Sequence, residues 1–497
     1  MTVFKIEDKN ASELVQRQKI IIHGDDSRVI TRAHIPGELT RINNIINRVL
    51  KLTNGGVERE LQKVYRDFES RHRNLDHQLI KHFNKVSEYI PACVQLSQNM
   101  RMLIGAYLTM EYSIESAALF NPSIVAHPNQ KYVVDGCLRF IMSLRATGEG
   151  HISSIVFRSG VINTDGSFSF DETSRYVEQA SVCHNSAYDK HLFQLKLQDL
   201  DAWDETSIRI FDQIPDTFSY QELKVSIGVL YLDTDFECND KVIEIIYWVA
   251  NSNYTLQFDE TSSISERVIF PSSDNESRGI EDARFVMFKD DNGEETYYAT
   301  YTAYNGFSIL PQLIETKDFL RFKVMTLNGE AVQNKGMALF PRKINGKYVM
   351  LSRQDGENNH IMFSDHLHFW QSSQIIQEPT KPWEFIQIGN CGSPIETDKG
   401  WLVLTHGVGA MRQYAIGAIL LDLDNPTKVI ARLDEPLITP TKTEREGYVP
   451  NVIYSCGGLL LHQQLIIPYA MSDISTGIAT INVKDLLESM TFMNNNE

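Results

Sequence analysis

The chain has 497 residues, 64 of them acidic against 47 Lys plus Arg, for a formal net charge of −17. That length exceeds most single hydrophobic cores and predicts two domains, while the negative balance argues against nucleic acid as the main partner. The six cysteines, Cys93, Cys137, Cys183, Cys238, Cys391 and Cys456, are scattered without a CxxC pair, which suits a reducing compartment and supports neither a metal site nor a disulfide frame.

Along the chain, the start Met1-Thr2-Val3-Phe4-Lys5-Ile6-Glu7-Asp8 lacks a signal peptide's apolar core. No apolar run reaches the ~18 residues of a membrane span, so a cytoplasmic protein with no membrane partner is expected. From about residue 37 to 118 the apolar spacing is helical: Ile42, Ile45, Ile46, Val49 and Leu50, then Leu61, Val64, Tyr65 and Phe68, then Leu79, Phe83, Val86 and Ile90 before Pro91. Asn54-Gly55-Gly56 reads as the break between the first two helices. Basic stretches such as Arg71-His72-Arg73 read as solvated helix faces, with a homo-oligomer contact as the livelier alternative. This predicts an α-helical N-terminal domain over 1–130, with residues 1–120 as an assembly or lid element, and a catalytic domain over 131–497.

Alternation takes over at Gly150, and Ile152 to Arg158, the turn Asn163-Thr164-Asp165-Gly166 and Ser167 to Phe170 form a predicted hairpin. Residues of about 195–255, including Val242, Ile243, Ile246 and Val249, read as a helical insertion. Four similar units follow, led by Glu281-Asp282-Ala283-Arg284, Leu339-Phe340-Pro341-Arg342, Gly392-Ser393-Pro394-Ile395 and Val449-Pro450-Asn451-Val452. Their anchors Asp282, Pro341, Pro394 and Asn451 stand 59, 53 and 57 residues apart, close to the length of a propeller blade. With the 150–170 hairpin the count is five. The predicted fold is therefore mainly β, a five-bladed β-propeller with the helical N-terminal domain and the insertion.

Such a ring would gather strand-end side chains around one axis. In Ser277-Arg278-Gly279-Ile280-Glu281-Asp282-Ala283-Arg284 the acids and bases form either a structural ion-pair cluster or the site of a general acid. Strand alternation puts Asp282 with Arg284 on one face and Glu281 on the other, which favours Asp282 as the acid. Lys335, Arg353 and His406 stand at the ends of successive units. Any one of them alone reads as structural, but together they imply a small anion, with phosphate the fitting choice. The imidazole of His406 would then lose its charge near a pH of about 6.5 and make phosphate binding pH-dependent. There is no Walker or GxGxxG phosphate loop, so no nucleotide is indicated.

At these residues the chain resembles glycoside hydrolase family 130, the mannoside phosphorylases and related β-mannosidases. The matching stretches are Gly279 to Arg284, Leu339 to Tyr348, Gly392 to Ile395 with Gly400-Trp401-Leu402, His406-Gly407-Val408 and Glu444 to Val452. The resemblance implies a five-bladed propeller, an inverting reaction at its centre, and Asp282 as proton donor acting through a hydroxyl of the bound mannosyl unit. It puts phosphate on Lys335, Arg353 and His406 with Tyr414 nearby, and assigns Arg284, Gln387, Ser393, Asn451 and Asp473 to substrate binding. No cofactor or metal is implied, only inorganic phosphate as co-substrate and a β-mannoside oligosaccharide. The chain departs from the family pattern at Ala283, where a Pro is usual, at Gln387, where many phosphorylases carry a Lys, and at Ser352-Arg353-Gln354, where His-Arg-Pro is usual.

The leading reading is an inverting phosphorylase giving α-mannose 1-phosphate. An inverting hydrolase is the alternative and needs a carboxylate base with its water, at a carboxyl separation of about 6.5–9.5 Å. A third is a non-catalytic carbohydrate-binding propeller, in which Trp370, Trp383 and Trp401 would stack on sugars instead of filling the core.

Overall fold

The computed structural model describes residues 11–90, 94–184, 187–306 and 309–493. The expectations placed on Met1 to Asp8, on Pro91 and on Cys93 lie outside the described residues. The five remaining cysteines are free thiols. Among the described residues no helix is long and apolar enough to cross a membrane.

The first described strand, Gln16–Ile22, pairs antiparallel with the late strand Ser475–Asn482. Four helices follow, Leu39–Leu50, Asn54–Phe68, Leu75–Asn84 and Gln98–Tyr107. Their apolar stripes meet in one core that contains Ile42, Ile46, Leu61, Leu79, Phe83 and Ile104, as helical periodicity requires. The Thr53 side chain accepts the Gly56 N–H at 3.2 Å, so Asn54-Gly55-Gly56 is the capped first turn of the second helix and not a spacer. Gly105 is obligatory here, since a Cβ on it would lie 1.9 Å from the Leu79 carbonyl oxygen. Strands also occupy part of the first 130 residues: besides Gln16–Ile22, Ala118–Ala126 opens the largest sheet.

That sheet has twelve strands. One antiparallel meander, Ala118–Ala126, Leu138–Thr147 and Ser153–Ile162, includes the predicted hairpin, with Gly160 opposite Phe170. A second meander runs Gly279–Lys289, Glu295–Tyr304, Ile309–Thr316 and Arg321–Thr326. They touch through one parallel pair, Gly279 with Ser153. A four-stranded sheet follows from Lys335–Leu339 to Ser373–Gln377, then a six-stranded sheet around Trp401–Val408, then a five-stranded sheet around Gln464–Met471 that takes in Gln16–Ile22. The mainly β reading is thus met.

The insertion is helical from Lys190 to Asn251, in four helices with their own core of Phe193, Leu197, Phe211, Leu223 and Ile246. Two of them start with reciprocal capping boxes, Asp204 with Ser207 and Ser219 with Glu222, the local signal that fixes such starts. Its last residues differ from the sequence reading, since Tyr254–Gln257 is a strand paired with Arg321–Thr326.

The four anchors do not stand at equivalent points. Asp282 lies inside the strand Gly279–Lys289 and Asn451 just ahead of Ile453–Tyr454, whereas Pro341 follows Lys335–Leu339 and Pro394 precedes Ile395–Glu396. Proline has no N–H for the ladder, and Pro341 and Pro394 both stand just outside a strand. Asp282 and Asn451 adopt φ of +56° and +63°, a conformation that short polar side chains tolerate.

Candidate active site

Three of the strands that bear the site's residues carry a bulge near their start, and each bulge aims a polar side chain. Register shifts occur between Phe120 and Ser123, between Glu281 and Arg284, and between Lys335 and Ala338. Positive φ at Asn121, Asp282, Asn334 and Gly336 marks the same places. A bulge re-aims side chains by breaking the two-residue period. It therefore overturns the argument that put Asp282 and Glu281 on opposite faces: one guanidinium, that of Arg145, reaches Glu281 Oε1 at 2.7 Å and Asp282 Oδ1 at 3.5 Å. Asn121 Nδ2 donates to Asp282 Oδ1 at 2.6 Å. Arg145 is itself fixed by donation to Ser153 Oγ at 2.9 Å and by the Phe120 ring, 5.1 Å from its guanidinium carbon.

Cations cluster beside this carboxylate. Asp282, Arg284 and Lys335 line one small cavity with Thr300, Thr302 and Gly336. Arg284 donates to Asn390 Oδ1 and to the Tyr454 hydroxyl, both at 2.6 Å. Lys335 stands opposite Arg353 in the strand pair, and Arg353 Nη1 lies 3.2 Å from His406 Nε2. His406 Nδ1 is 3.2 Å from the Asn390 carbonyl oxygen. A carbonyl only accepts, so Nδ1 carries the hydrogen and Nε2 accepts from Arg353. Among the described residues Arg284, Lys335 and Arg353 form no ion pair with a carboxylate, and Arg353 Nε has no hydrogen-bond partner.

The charges follow from these surroundings. Burial raises the proton affinity of Asp282, but the fields of Arg145, Lys335 and Arg284 and the Asn121 hydrogen bond outweigh it and hold the carboxyl below its usual range. Asp473 goes the other way: burial, then the neighbouring Asp282, push it up to about 6 despite Arg145 and Arg412. His406 is held well below 6.5 by burial first, then by Arg353 and Arg284. This corrects the expectation of a His406 titration near neutral pH. The imidazole is neutral and orients Arg353 in place of adding a charge.

The remaining predicted residues are reached in steps. The rings of His406 and Tyr414 lie parallel, 6.1 Å apart, and Gln387 Nε2 donates to the Tyr414 hydroxyl at 3.4 Å. The Tyr414 N–H donates to the Asn451 carbonyl at 3.0 Å, and Asn451 Oδ1 accepts from Arg445 at 3.1 Å. Ser393 Oγ has no hydrogen-bond partner. Trp370 and Trp401 are wholly buried core side chains. The Trp383 ring packs where Cβ atoms on Gly407 and Gly417 would lie, at 2.4 and 2.5 Å. Neither Trp370 nor Trp401 is presented for stacking on a sugar, while Trp383 is partly exposed.

Sequence reasoning missed Asn121, Arg145, Asn390 and Tyr454. Arg145 did leave a signal, a lone charge within the apolar stretch Phe140 to Ala146. Asn121 leaves no such signal, because nothing local shows that a side chain 161 positions before Asp282 will bond it. Among the described residues no group of His, Cys, Asp or Glu is arranged to hold a metal ion.

Comparison with known proteins gives the chain's relatives. A family model described as beta-1,4-mannooligosaccharide phosphorylase, of glycoside hydrolase family 130, matches residues 256–492. A 1,2-β-oligomannan phosphorylase of Thermoanaerobacter sp. (strain X514) is 35% identical over 232 residues, 45% of this chain and 75% of the relative. A β-1,2-mannobiose phosphorylase of Listeria innocua is 30% identical over 235 residues, 45% of this chain and 63% of the relative. A β-1,4-mannooligosaccharide phosphorylase of Ruminococcus albus is 33% identical over 208 residues, 39% of this chain and 62% of the relative. The chain belongs to glycoside hydrolase family 130.

Proposed function

We propose that the chain is an inverting glycoside phosphorylase that cleaves β-mannosides with inorganic phosphate and releases α-mannose 1-phosphate. The observation that carries this is a set of cations: Arg284 and Lys335 line one cavity with Asp282, Arg353 stands opposite Lys335, and among the described residues none of the three forms an ion pair with a carboxylate. A neutral sugar does not call for such a group, whereas a phosphate dianion does. The relatives, all phosphorylases of β-mannosides by name, support the same reading.

In this reading Lys335 and Arg353 hold phosphate, His406 fixes the Arg353 fork, and Tyr414 closes the same side. Arg284, Gln387, Ser393, Asn451 and Asp473 meet the sugar. Phosphate attacks the anomeric carbon from the face opposite the leaving oxygen. As that bond breaks, the oxygen takes a proton that originates on Asp282, passed through a mannosyl hydroxyl as the family resemblance implies. Asp282 is ionised while the cations stand unscreened. A phosphate dianion cancels their field, so the co-substrate itself raises the proton affinity of the acid. The scaffold we propose is a five-bladed propeller in which the twelve-stranded sheet counts as two blades. Residues 131–497 form its bulk as the catalytic domain with the helical insertion, and 1–130 are the mostly helical N-terminal part.

One observation favours hydrolysis instead: a second carboxylate, Asp473, is near enough to Asp282 to raise its own proton affinity, and an inverting hydrolase needs two. A phosphate titration with a panel of β-mannobioses separates the two. Phosphorolysis gives mannose 1-phosphate at a rate that follows phosphate, and free mannose at an undiminished rate in phosphate-free buffer would reject it.

A further inference from the structure

A second place in the molecule, lined by none of the residues of the catalytic cavity, holds a buried lysine. The helix Lys190–Asp199 of the insertion packs beside the strand Arg321–Thr326, and between them lies a cavity of about 160 Å³. Lys196, only 7% exposed, lines it. Its ammonium has no hydrogen bond or ion pair among the described residues. His368 also lines the cavity, and its Nδ1 is buried without a partner. Lys323 adds a third nitrogen to the same wall.

Two carboxylates bear on the cavity, Asp189 from its wall and Asp199 through its field on Lys196, and each accepts a backbone N–H. Asp189 Oδ1 accepts the Leu192 N–H at 2.8 Å as the cap of the helix, and Asp199 Oδ2 accepts the Gly329 N–H at 2.8 Å. Neither forms an ion pair with Lys196. A buried charge with no partner is strongly disfavoured, and burial lowers the proton affinity of Lys196 and holds His368 down at about 4. A ligand that accepts several hydrogen bonds and carries negative charge would remove the deficit at both.

We propose that this cavity is a second anion site, separate from the catalytic one, which takes a phosphoryl group on Lys196, Lys323 and His368. Its volume admits inorganic phosphate or the phosphoryl end of a sugar phosphate, and the two share the chemistry that these nitrogens recognise.

Equilibrium dialysis of the full chain against radiolabelled inorganic phosphate, and separately against labelled mannose 1-phosphate, tests this. The wild type should bind two equivalents of one or both ligands, and which ligand fills the second site identifies its source. Lys196→Met, which keeps the side-chain length and removes the charge, should weaken one of the two equivalents about ten- to hundredfold and leave turnover at saturating phosphate within about twofold. Lys323→Met, at an exposed position that does not endanger folding, should weaken the same equivalent. Arg353→Ala should remove only the other one. If Arg353→Ala abolishes all binding, or both lysine variants still bind two equivalents with wild-type affinity, the second site is overturned. If Arg353→Ala keeps both equivalents while Lys196→Met loses one, the second site stands and the catalytic phosphate assignment fails.

Discussion

The carboxylate of Asp282 and the carboxyl of Asp473 are chemically identical groups in one site, and their proton affinities diverge because their neighbours differ. Asp282 faces three cations and an amide donor, while Asp473 feels burial and the charge of Asp282 itself. Asp282→Asn keeps the volume and removes the proton, so turnover should fall by at least about a hundredfold with an unchanged circular dichroism spectrum. A variant within tenfold of wild type would refute the assignment. If phosphate raises the proton affinity of Asp282, its binding must take up protons. Binding enthalpies measured by titration calorimetry in buffers of different ionisation heat should then vary with the buffer, and Asp282→Asn should flatten that dependence.

Asp473 makes a prediction of its own about stability. A carboxyl raised from 3.8 to about 6 holds a proton in the folded chain that the unfolded chain has already released, so stability declines as pH rises through that window and levels off above it. Asp473→Asn removes the decline. The melting temperature of the variant minus that of wild type should grow from about pH 4 to pH 6 and stay constant beyond; a constant difference throughout would disprove the shift.

At the scale of elements, the site is a product of irregular strands. Bulges in Ala118–Ala126, Gly279–Lys289 and Lys335–Leu339 turn Asn121, Asp282 and Lys335 out of strict alternation. The strand Gln387–Asn390 contributes an absence: a Cβ on Gly389 would stand 2.5 Å from His406 Cε1 and 3.2 Å from Arg353 Cδ. The empty space there lets His406 accept from Arg353. Gly389→Ala should therefore raise the phosphate Michaelis constant more than that of the sugar, and cost about 1–3 kcal/mol of stability as an overpacked core does. Steady-state kinetics and chemical denaturation check both, and equal rises in the two constants would count against the role given to Arg353.

At the scale of the molecule, the strand Gln16–Ile22 joins the first described residues to the last sheet, helped by the Arg17–Glu444 ion pair at 3.0 Å. Deleting residues 1–23 uncovers the edge of Ser475–Asn482, so the truncated chain should melt lower and associate through the exposed ladder. Thermal denaturation with light scattering tests it, and an unchanged melting temperature would show that the strand adds nothing. The α-helical N-terminal domain expected over 1–130 thus also carries two strands of the β body.

What the sequence determined by itself was whatever depends on near neighbours. The stripes of Ile42, Ile46 and Val49 give a helix, the alternation around Asn163-Thr164-Asp165-Gly166 gives a hairpin, and the stretch around Asp282 with the cations of the later strands points to an acid facing an anion. Those features are set by backbone periodicity and by chemistry carried within a few residues. Tertiary structure alone decided which partners those groups meet. Asn121, Arg145, Asn390 and Tyr454 reach Asp282 and Arg284 across 106 to 170 positions, and three bulges cancel the alternation on which a face assignment depends. The charge on His406 and the proton on Asp473 were likewise decided only there, because burial and the sum of distant fields set them, and neither is a property of local sequence.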